Sequence, residues 1–599
     1  MSRYTIAPTP PNLKPRTAAY DASDVTRRKW GQTVVFYKTQ NEFDKQNGLT
    51  VRGVQNGTPG AQPVPFSLVP YLYEASQSQL YTVQQFTQIV AGIQADYDRK
   101  YRVRNTTDFA PTGAVGGIFS IPYYVQAIDF NSNGDRIVLS YDFTNRVYHI
   151  YKIPYDDPSG VPVIDSSGTD LLMKNDSIDP YTTFIKMLSF TANDDFTEFY
   201  VGGYTSVSGL GYPFLKRFDE DLDVIDTKRI YDESGGVLTK GSFSFVLSLN
   251  GYLYTTGFCV NNTDFIIDGV TWPKSLVYNS ATSPFFCKMN YNMNVLWATI
   301  IKYADANACA SNCAALSTGE LVAPITFDQG GDFQSGVEWY IKEGALTERY
   351  IPATGNIMLA KLNAATGVVT QTVQFELKGG YYYGGARGLQ VFVDSNDNMF
   401  VSVNFSNSNP PYVQPGYVSF IPYIVDFGNG VTTTITSPTV CYIVKFNSNL
   451  VAQAVFNMPL PVPGGGEVPY KFYNKYVSFD PAGNLNINAS YSTNNYDPIT
   501  VNTMLLPKTT GSYYNSVSYS VSNDLSTVNW YNVIENIKTD VAVPADQYYR
   551  NAGILKVDTL NQQLIKVDER NNDVTVTAAP GATLPAVSGD NKSFLIFYN

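Results

Sequence analysis

From about residue 110 onward, apolar and polar residues alternate in short runs that end in clusters of Asn, Asp and Gly. A unit recurs along this part of the chain. It consists of an apolar run, a polar turn and a second run, then a stretch of variable length, a third run, a second polar turn and a fourth run. This alternation is typical of β-strands that bury one face, and Asn, Asp and Gly tolerate the positive φ of tight hairpin turns. The pattern therefore predicts units of four antiparallel strands.

The spacing of the turns predicts the number of units. The first turn is predicted at 131–135, 191–195, 249–251, 317–320, 394–398 and 480–484, and the second at 156–160, 219–223, 290–294, 363–367, 447–449 and 522–525. With a degenerate last unit at 553–578, the count is about seven, and six or eight stay open. Four-stranded units repeated radially make a β-propeller, so 111–599 is predicted to be an all-β propeller domain. The apolar C-terminal run at 594–599 is predicted to complete a terminal blade and close the ring.

Residues 1–110 have a different pattern and are predicted to form an anchoring segment. Residues 1–17 contain four prolines and indicate an extended arm. A helix is predicted over 24–43, after the N-capping Ser23. A second helix is predicted over 79–101, where apolar residues recur at spacings of three and four.

Composition narrows the function classes. Of the 599 residues, 44% are hydrophobic and 14% aromatic, which suits a large β-rich core. The net charge of −11 disfavours a nucleic-acid partner, because phosphates require basic surfaces. The N-terminal residues lack the apolar core of a signal peptide, and no apolar run reaches the roughly 18 residues of a membrane span. Five scattered cysteines predict buried free thiols, with a Cys309–Cys313 pair as the alternative.

Candidate catalytic and metal-binding residues are few. His149 is the single histidine, and it lies in an alternating run typical of a strand, so a His-dependent triad or zinc site is not expected. Carboxylates cluster at 156–157, 194–195 and 219–223, where predicted turns already account for them. The turn 394–398 alternates oxygen-bearing side chains as a calcium loop does, but Met399 replaces the glycine that such a loop needs. We therefore predict no catalytic residue, no metal site and no cofactor.

Glycine-rich stretches and sequons are the remaining candidates for binding or modification sites. The stretches 378–388 and 462–469 lack the helix and the Lys-Ser ending of a phosphate cradle, and they are interpreted as loops. Tyr381 to Tyr383 could stack on a sugar or pack at a protein interface. Sequons begin at Asn404 and Asn488, and in an Asn-rich chain they do not discriminate between functions.

Two resemblances add to this interpretation. The stretches FSFVLSLNGYLYTTGF with SPFFCKMNYNMNVLWATII, and GLQVFVDSNDNMFVSVNF with PTVCYIVKFNSNLVAQAVF, resemble propeller repeats of bacterial surface and secreted proteins. The shared pattern is a D-x-x-G-N-like turn followed later by a φ-x-K-φ-N strand, where φ is an apolar residue. Separately, YDASDVTRRKWGQTVVFYKTQ at 20–40 is similar to N-terminal segments of virion proteins of large double-stranded DNA viruses.

The second resemblance implies a function. It implies a non-enzymatic virion structural protein, such as a minor capsid, spike or vertex-associated component, made in the host cytoplasm. Its N-terminal arm would contact other capsid proteins, and its propeller would mediate protein–protein contacts in a multi-subunit assembly. A carbohydrate- or receptor-binding adhesin or fibre module is the first alternative, and a propeller glycan lyase or hydrolase is the second.

Overall fold

The chain is described from a computed structural model. It describes residues 3–4, 34–37, 71–72, 111–113, 115–121, 124–130, 136–142, 147–153, 163–164, 184–193, 197–207, 210–219, 223–232, 235, 241–260, 265–267, 269–272, 282–303, 308–310, 312–327, 338–343, 347–378, 385–406, 423–435, 439–458, 471–492, 498–507, 514–537, 555–558, 563–570 and 592–598. Within these ranges the regular structure is all β, and no helix occurs. The chain divides into two compact units, Met1–Thr106 and Thr107–Asn599.

Among its described residues, the first unit contains a small antiparallel sheet in which β1 (Arg3–Tyr4), β2 (Val34–Tyr37) and β3 (Tyr71–Leu72) pair in that order. The predicted helix over 24–43 is wrong at residues 34–37, which form strand β2, and the rest of that range lies outside the described residues. Two β-branched residues followed by two aromatic residues favour an extended chain, and pairing on both sides of β2 supplies the hydrogen bonds that a helix would have made internally. The predicted helix over 79–101 lies outside the described residues.

The second unit contains antiparallel sheets that follow one another along the chain. Among the described residues, seven sheets contain at least four strands. In six of them the strands of the predicted unit pair in chain order, and in the seventh the last strand in sequence pairs with β4 (Val115–Ile121). Their arrangement fits a β-propeller. We call them the first to seventh sheets.

The sheets are built from the following strands. First: β5 (Tyr124–Phe130), β6 (Arg136–Asp142), β7 (Val147–Ile153) and β8 (Val163–Ile164); second: β9 (Phe184–Ala192), β10 (Glu198–Val207), β11 (Leu210–Asp219) and β12 (Val224–Asp232); third: β13 (Gly241–Leu249), β14 (Tyr252–Val260), β17 (Thr282–Asn290) and β18 (Val295–Tyr303). Fourth: β19 (Ala308–Cys309), β20 (Ala314–Ala315), β21 (Leu321–Phe327), β24 (Ile357–Leu362) and β25 (Val369–Gln374); fifth: β27 (Gly385–Val393), β28 (Met399–Ser406), β31 (Thr439–Phe446) and β32 (Ala452–Met458). Sixth: β33 (Lys471–Phe479), β34 (Leu485–Ser492), β37 (Tyr514–Val521) and β38 (Val528–Ile537); seventh: β39 (Leu555–Asp558), β40 (Gln563–Arg570), β41 (Lys592–Tyr598) and β4 (Val115–Ile121).

The stretch of variable length between second and third strands carries a β-hairpin in four successive sheets. The hairpins of the third and fourth sheets extend the outer strand of the preceding sheet, so β15 pairs with β12 and β22 pairs with β18. The hairpin of the fifth sheet pairs with β26, which follows β25 of the fourth sheet. Each addition covers strand edges that would otherwise offer unpaired backbone groups. The strands are β15 (Phe265–Ile267), β16 (Val270–Trp272), β22 (Glu338–Glu343), β23 (Thr347–Pro352), β26 (Glu376–Lys378), β29 (Tyr423–Asp426), β30 (Thr432–Ile435), β35 (Ile499–Val501) and β36 (Met504–Leu506).

The core lies between consecutive sheets. One apolar cluster fills each of the junctions from the first and second sheets to the fifth and sixth sheets. Between the fifth and sixth sheets, for example, Phe400 and Ile443 pack with Ile487 and Tyr519. Each of the first six sheets therefore buries an apolar face against a neighbour, as the alternation of the sequence requires.

The seventh sheet joins strands from opposite ends of the second unit. Strand β41 pairs with β40 on one side and with β4 on the other, and both ladders are antiparallel. Leu595 and Ile596 at its centre are buried. The prediction that the C-terminal run pairs within a terminal sheet is confirmed by these ladders.

Candidate functional site: the turn network

The hairpin turns at one end of the third to sixth sheets bind one another. We call these turns, with the cationic side chains that reach them, the turn network. They share one local geometry, in which a backbone bond closes the turn and one residue near its end adopts positive φ, such as Asp397 at 61° and Gly483 at 84°. The turns are 317–320, 394–398 and 480–484 after first strands, and 290–294, 363–367, 447–451 and 522–527 after third strands.

The φ-x-K-φ-N motif has two separable roles in this network. The asparagine caps its own turn: Asn447 Oδ1, for example, accepts from the backbone N–H groups of Asn449 and Val451, both at 3.0 Å. The cation two residues earlier reaches the turn of the next sheet along the chain. The four cross-sheet contacts are Arg217 Nη1 to Asn292 Oδ1 at 2.9 Å, Lys288 Nζ to the Ala364 carbonyl at 2.7 Å, Lys361 Nζ to the Ser448 carbonyl at 3.1 Å, and Lys445 Nζ to the Asn523 carbonyl at 3.0 Å.

Asn523 is the centre of the most connected part of the network. Its amide nitrogen donates to the Gly483 carbonyl at 2.8 Å and to Asp394 Oδ2 at 3.0 Å, while its side-chain oxygen accepts from Lys445 Nζ. One asparagine thus ties together two turns of the sixth sheet, one turn of the fifth sheet and the third strand of the fifth sheet.

A further set of hydrogen bonds connects the turns that follow the first strands of the fourth and fifth sheets. Asp397 accepts from the Ser317 backbone N–H at 2.7 Å and from its hydroxyl at 2.6 Å. Asp397 lies in the fifth sheet and Ser317 in the fourth. The carboxylate therefore serves as a structural acceptor between turns.

Replacing Lys445 with methionine is expected to lower the free energy of unfolding by about 1–3 kcal/mol, because the Asn523 oxygens lose a charged donor. Urea denaturation of the two proteins measures this. Lys378→Met is the matched control: Lys378 pairs with Glu376 and Asp426 on the surface, where ion pairs contribute little, so no measurable change is expected. Equal losses for both variants would contradict the structural role of the network.

The turn 394–398 is stabilised by its own donors. Asp394 Oδ1 accepts from the backbone N–H of Asn396 at 2.8 Å and of Asn398 at 2.9 Å, and Oδ2 accepts from the Asn398 side chain at 2.8 Å. Burial acts to raise the pKa of Asp394, but the hydrogen bonds from Asn398 and Asn523 outweigh it and lower the pKa. The oxygen alternation seen in the sequence thus belongs to a capped turn.

This lowered pKa predicts a pH dependence. The ionised Asp394 stabilises the fold at pH values above its ordinary pKa of 3.8, and the contribution is lost as the pH falls through the lowered value. Asp394→Asn keeps the size of the side chain but turns an NH₂ group toward the donors of Asn398 and Asn523. Urea denaturation is expected to give the variant a free energy of unfolding about 1–3 kcal/mol below that of the parent at pH 7. The two free energies are expected to converge in acid. A separation that does not change with pH would show that the charge of Asp394 is irrelevant.

The other sequence candidates are not brought together. His149 lies in β7 opposite Ser140, as predicted for a strand residue. Asp219 caps its own turn by accepting from the Asp223 backbone N–H at 2.9 Å. The carboxylates 156–157 and 194–195 and the stretch 462–469 lie outside the described residues. In 378–388, Lys378 ends β26 and 385–388 lie in β27, and Tyr381 to Tyr383 lie outside the described residues.

Four of the five cysteines and both sequon asparagines are described as buried. Cys313 is a free thiol, so it does not pair with Cys309, and Cys259, Cys287 and Cys441 are free and buried as well. Burial raises the pKa of the Cys259 thiol to about 12, which makes it inert near neutral pH. Asn404 and Asn488 are 2% and 1% exposed, so neither sequon can carry a glycan in the folded protein.

The cross-sheet role of the cations was not predicted from the sequence. The recurring lysine of the φ-x-K-φ-N motif was the available signal, because lysine in an otherwise apolar strand needs a partner. Within the described ranges, no set of three or more His, Cys, Asp or Glu side chains is placed to hold a metal. The same ranges contain no helix long and apolar enough to cross a membrane.

No family model matches the sequence, and no curated protein matches it either. Among solved structures, the Drosophila plexin A in complex with semaphorin 1b is similar at a TM-score of 0.30 and 9% identity, over 81% of this chain and 87% of that chain. An acylaminoacyl peptidase of Pyrococcus horikoshii is similar at 0.22 and 9%, over 62% and 58%. A levansucrase variant of B. subtilis is similar at 0.22 and 13%, over 58% and 93%. At TM-scores this low, nothing about the function of this chain follows from these likenesses.

Proposed function

We propose that the second unit is a β-propeller of seven blades whose ring is closed in the seventh sheet. The ladders that join β4 to β41 support closure, since they place strands from the two ends of the unit side by side. The apolar clusters between consecutive sheets support a radial arrangement. In such a ring every inner and outer edge is short or covered, which keeps an all-β body soluble.

A repeated contact supports the assignment of β4 as the fourth strand of the last blade. Gly367 precedes β25 by two residues, has a φ of 71°, and a Cβ there would lie 2.4 Å from the Trp297 ring. Gly113 precedes β4 by two residues, has a φ of 80°, and a Cβ there would lie 2.7 Å from the Trp530 ring. The residue two positions after each tryptophan donates to the glycine carbonyl: Thr299 at 2.6 Å and Asn532 at 3.5 Å. Gly113 thus occupies the place of a third-to-fourth-strand turn.

We infer that this propeller is a non-enzymatic scaffold for protein–protein contacts. The observation that carries the proposal is the turn network, in which carboxylates, amides and ammonium groups bind turns of neighbouring sheets. A rigid set of turns presents a surface of fixed shape, and fixed surfaces lose little entropy when they bind a protein partner. The cations of the network are already hydrogen-bonded to carbonyl and amide oxygens of the turns.

We propose further that the scaffold belongs to a virion. The support is the similarity of residues 20–40 to virion proteins together with the Pro-rich arm at 1–17. Residues 1–45 would bind other capsid proteins, and the propeller would contribute the outer contacts of a minor capsid, spike or vertex-associated component.

Particle association tests this proposal. The full chain and a chain lacking residues 1–45 are each produced with the particles and followed through a density gradient by quantitative mass spectrometry. The full chain is expected in the particle fraction at a fixed ratio to the major capsid protein. The shortened chain is expected outside that fraction with an unchanged circular dichroism melting curve. Absence of the full chain from the particle fraction would contradict the virion assignment.

His149→Gln tests the non-enzymatic part. Because β7 places His149 in a regular ladder, the variant is expected to fold, to melt near the parent temperature and to keep every binding activity of the parent. Loss of a hydrolytic or lyase turnover in a folded His149→Gln protein would favour the enzyme alternative. Binding of the parent to a glycan array would favour the adhesin alternative.

A further inference from the structure

The face of the sixth sheet that points toward the seventh differs from the other described inter-sheet faces. Alternate residues of β34 and β37 on this face are polar, and they pair across the two strands. The opposite face of the same strands belongs to the apolar cluster shared with the fifth sheet. The polar residues, each at most 6% exposed, are Asn486, Asn488, Ser490, Ser516, Ser518 and Ser520. We call this set the polar seam.

The next strand shows which sheet the polar seam faces. In β38, Trp530 lies opposite Ser520 and Asn532 opposite Ser518, so both belong to the same face. Their contact with Gly113 therefore points this face toward the segment that enters β4 of the seventh sheet. Strand contacts of β33 and β34 with β39, and of β38 with β40, agree with this direction.

The polar seam is incompletely hydrogen-bonded. Asn486 Oδ1 and Ser518 Oγ of the seam, and Asn532 Oδ1 on the same face in β38, are buried without a hydrogen-bond partner in the protein. Asn486 uses its amide nitrogen on Asp480 Oδ2 at 3.3 Å, which leaves its oxygen to face the seam. Buried oxygens of this kind are ordinarily satisfied by ordered water, which needs several polar partners within reach. Neighbouring Asn and Ser side chains provide such partners.

The cross-sheet cation is also missing at this junction. Its position lies two residues before the residue that caps the third-to-fourth-strand turn, as Lys445 lies two before Asn447. In the sixth sheet the capping residue is Ser522, whose hydroxyl accepts from the Thr527 N–H at 3.0 Å, and the position two before it is Ser520. No cation can therefore extend from this position to the seventh sheet.

We propose that the junction between the sixth and seventh sheets is a hydrated seam, in which ordered waters bridge Asn486, Ser518 and Asn532, and that the ring opens first at this junction. An apolar cluster and Lys445 hold the junction between the fifth and sixth sheets, while water and polar side chains hold this one. When two hydrated faces separate, their polar groups form new hydrogen bonds with bulk water. Separating them therefore costs less free energy than separating packed apolar faces. The proposal rests on the closed ring of the proposed function.

Hydrogen exchange of the full chain, followed by mass spectrometry across a urea series below the unfolding transition, tests the opening. Peptides of β4, β40 and β41 are expected to lose protection together, about tenfold faster than peptides of β28, β31 and β34. Equal protection of the seventh sheet and the fifth sheet at every urea concentration would overturn the proposal. Immediate exchange of β4 without urea would instead show that β4 is not paired with β41, and the closed ring itself would fail.

A pair of variants tests the water. The double variant Asn486→Leu/Ser518→Ala removes two of the three unpartnered oxygens and is expected to slow exchange in β4, β40 and β41 several-fold. Asn404→Leu is the matched control, since Asn404 is equally buried in β28 but accepts from Cys441 Sγ at 3.1 Å. The control is expected to leave exchange of the seventh sheet unchanged. If the seam variant folds and exchanges at the parental rate, or if the control slows the seventh sheet as much, the hydrated seam is wrong. If the seam variant does not fold, the urea series of the parent decides alone.

Discussion

Deletion of residues 593–599 is expected to open the ring, to lower the melting temperature of the second unit and to promote aggregation. The deletion removes β41, so β40 and β4 lose their shared partner and buried Leu595 and Ile596 are lost with it. Burial of two such side chains contributes roughly 3–6 kcal/mol, a large part of the stability of an ordinary domain. Two exposed strand edges remain, which favours aggregation. Thermal melting by circular dichroism and light scattering of the same sample measure both effects.

Deletion of 462–468 is the control for this experiment. It removes the same number of residues from a Gly- and Pro-rich stretch that the sequence predicts to be a loop, and loops tolerate such changes. The control protein is expected to melt close to the parent temperature. If the chain lacking 593–599 melts normally and fails only in assembly, β41 belongs to a contact between subunits, and the closed ring has to be abandoned.

Gly113→Ala and Gly367→Ala are expected to destabilise the protein by similar, large amounts. Both glycines have positive φ, where an alanine costs about 1–2 kcal/mol. Both also lie against a tryptophan ring, so the new methyl group forces a repacking that typically costs about 1–3 kcal/mol more. Urea denaturation measures the total for each variant.

Gly428→Ala separates the two contributions. Gly428 has a φ of 86°, but a Cβ there meets nothing within 4 Å, so only the backbone cost applies. We expect its loss to be about half that of the other two variants. If Gly113→Ala costs no more than Gly428→Ala, Gly113 does not occupy the place of a turn glycine, and the assignment of β4 as a fourth strand is weakened.

The hairpin turns are the part of the fold that the sequence predicts best. The predicted turn at 249–251 is a tight hairpin in which Asn250 and Gly251 have φ of 52° and 84°. The predicted turns at 394–398 and 480–484 are closed by backbone bonds from Asp394 to Asn398 and from Asp480 to Asn484. These turns follow from the identity of two or three adjacent residues, so no tertiary information is needed.

Three turns break the residue preference, and burial explains them. Met293, Leu450 and Leu525 have φ of 57°, 55° and 63°, although Gly or Asn would be favoured there. Each side chain is buried in the cluster between its own sheet and the preceding one. Burying such a side chain contributes about 1.5–3 kcal/mol, which offsets the roughly 1–2 kcal/mol of the left-handed backbone.

Contacts distant in sequence could not be predicted. Strand β2 has only four residues and lies within the stretch 24–43, whose local pattern predicts a helix. Its formation therefore depends on pairing with β1 and β3. The hairpins appeared only as stretches of variable length, because docking on a preceding sheet leaves no local pattern. The polar seam alternates with apolar residues as any half-exposed strand does, so its burial depends on the seventh sheet.

The most direct test of the closed seven-bladed ring is a single-particle cryo-EM map of the full chain, viewed along the axis of the second unit. The account predicts seven sheets around one closed ring, with density for β4 between β41 and solvent in the last sheet and Trp530 against Gly113 beside it. An open array of sheets, a ring of six or eight, or β41 paired with a strand of another copy would contradict it.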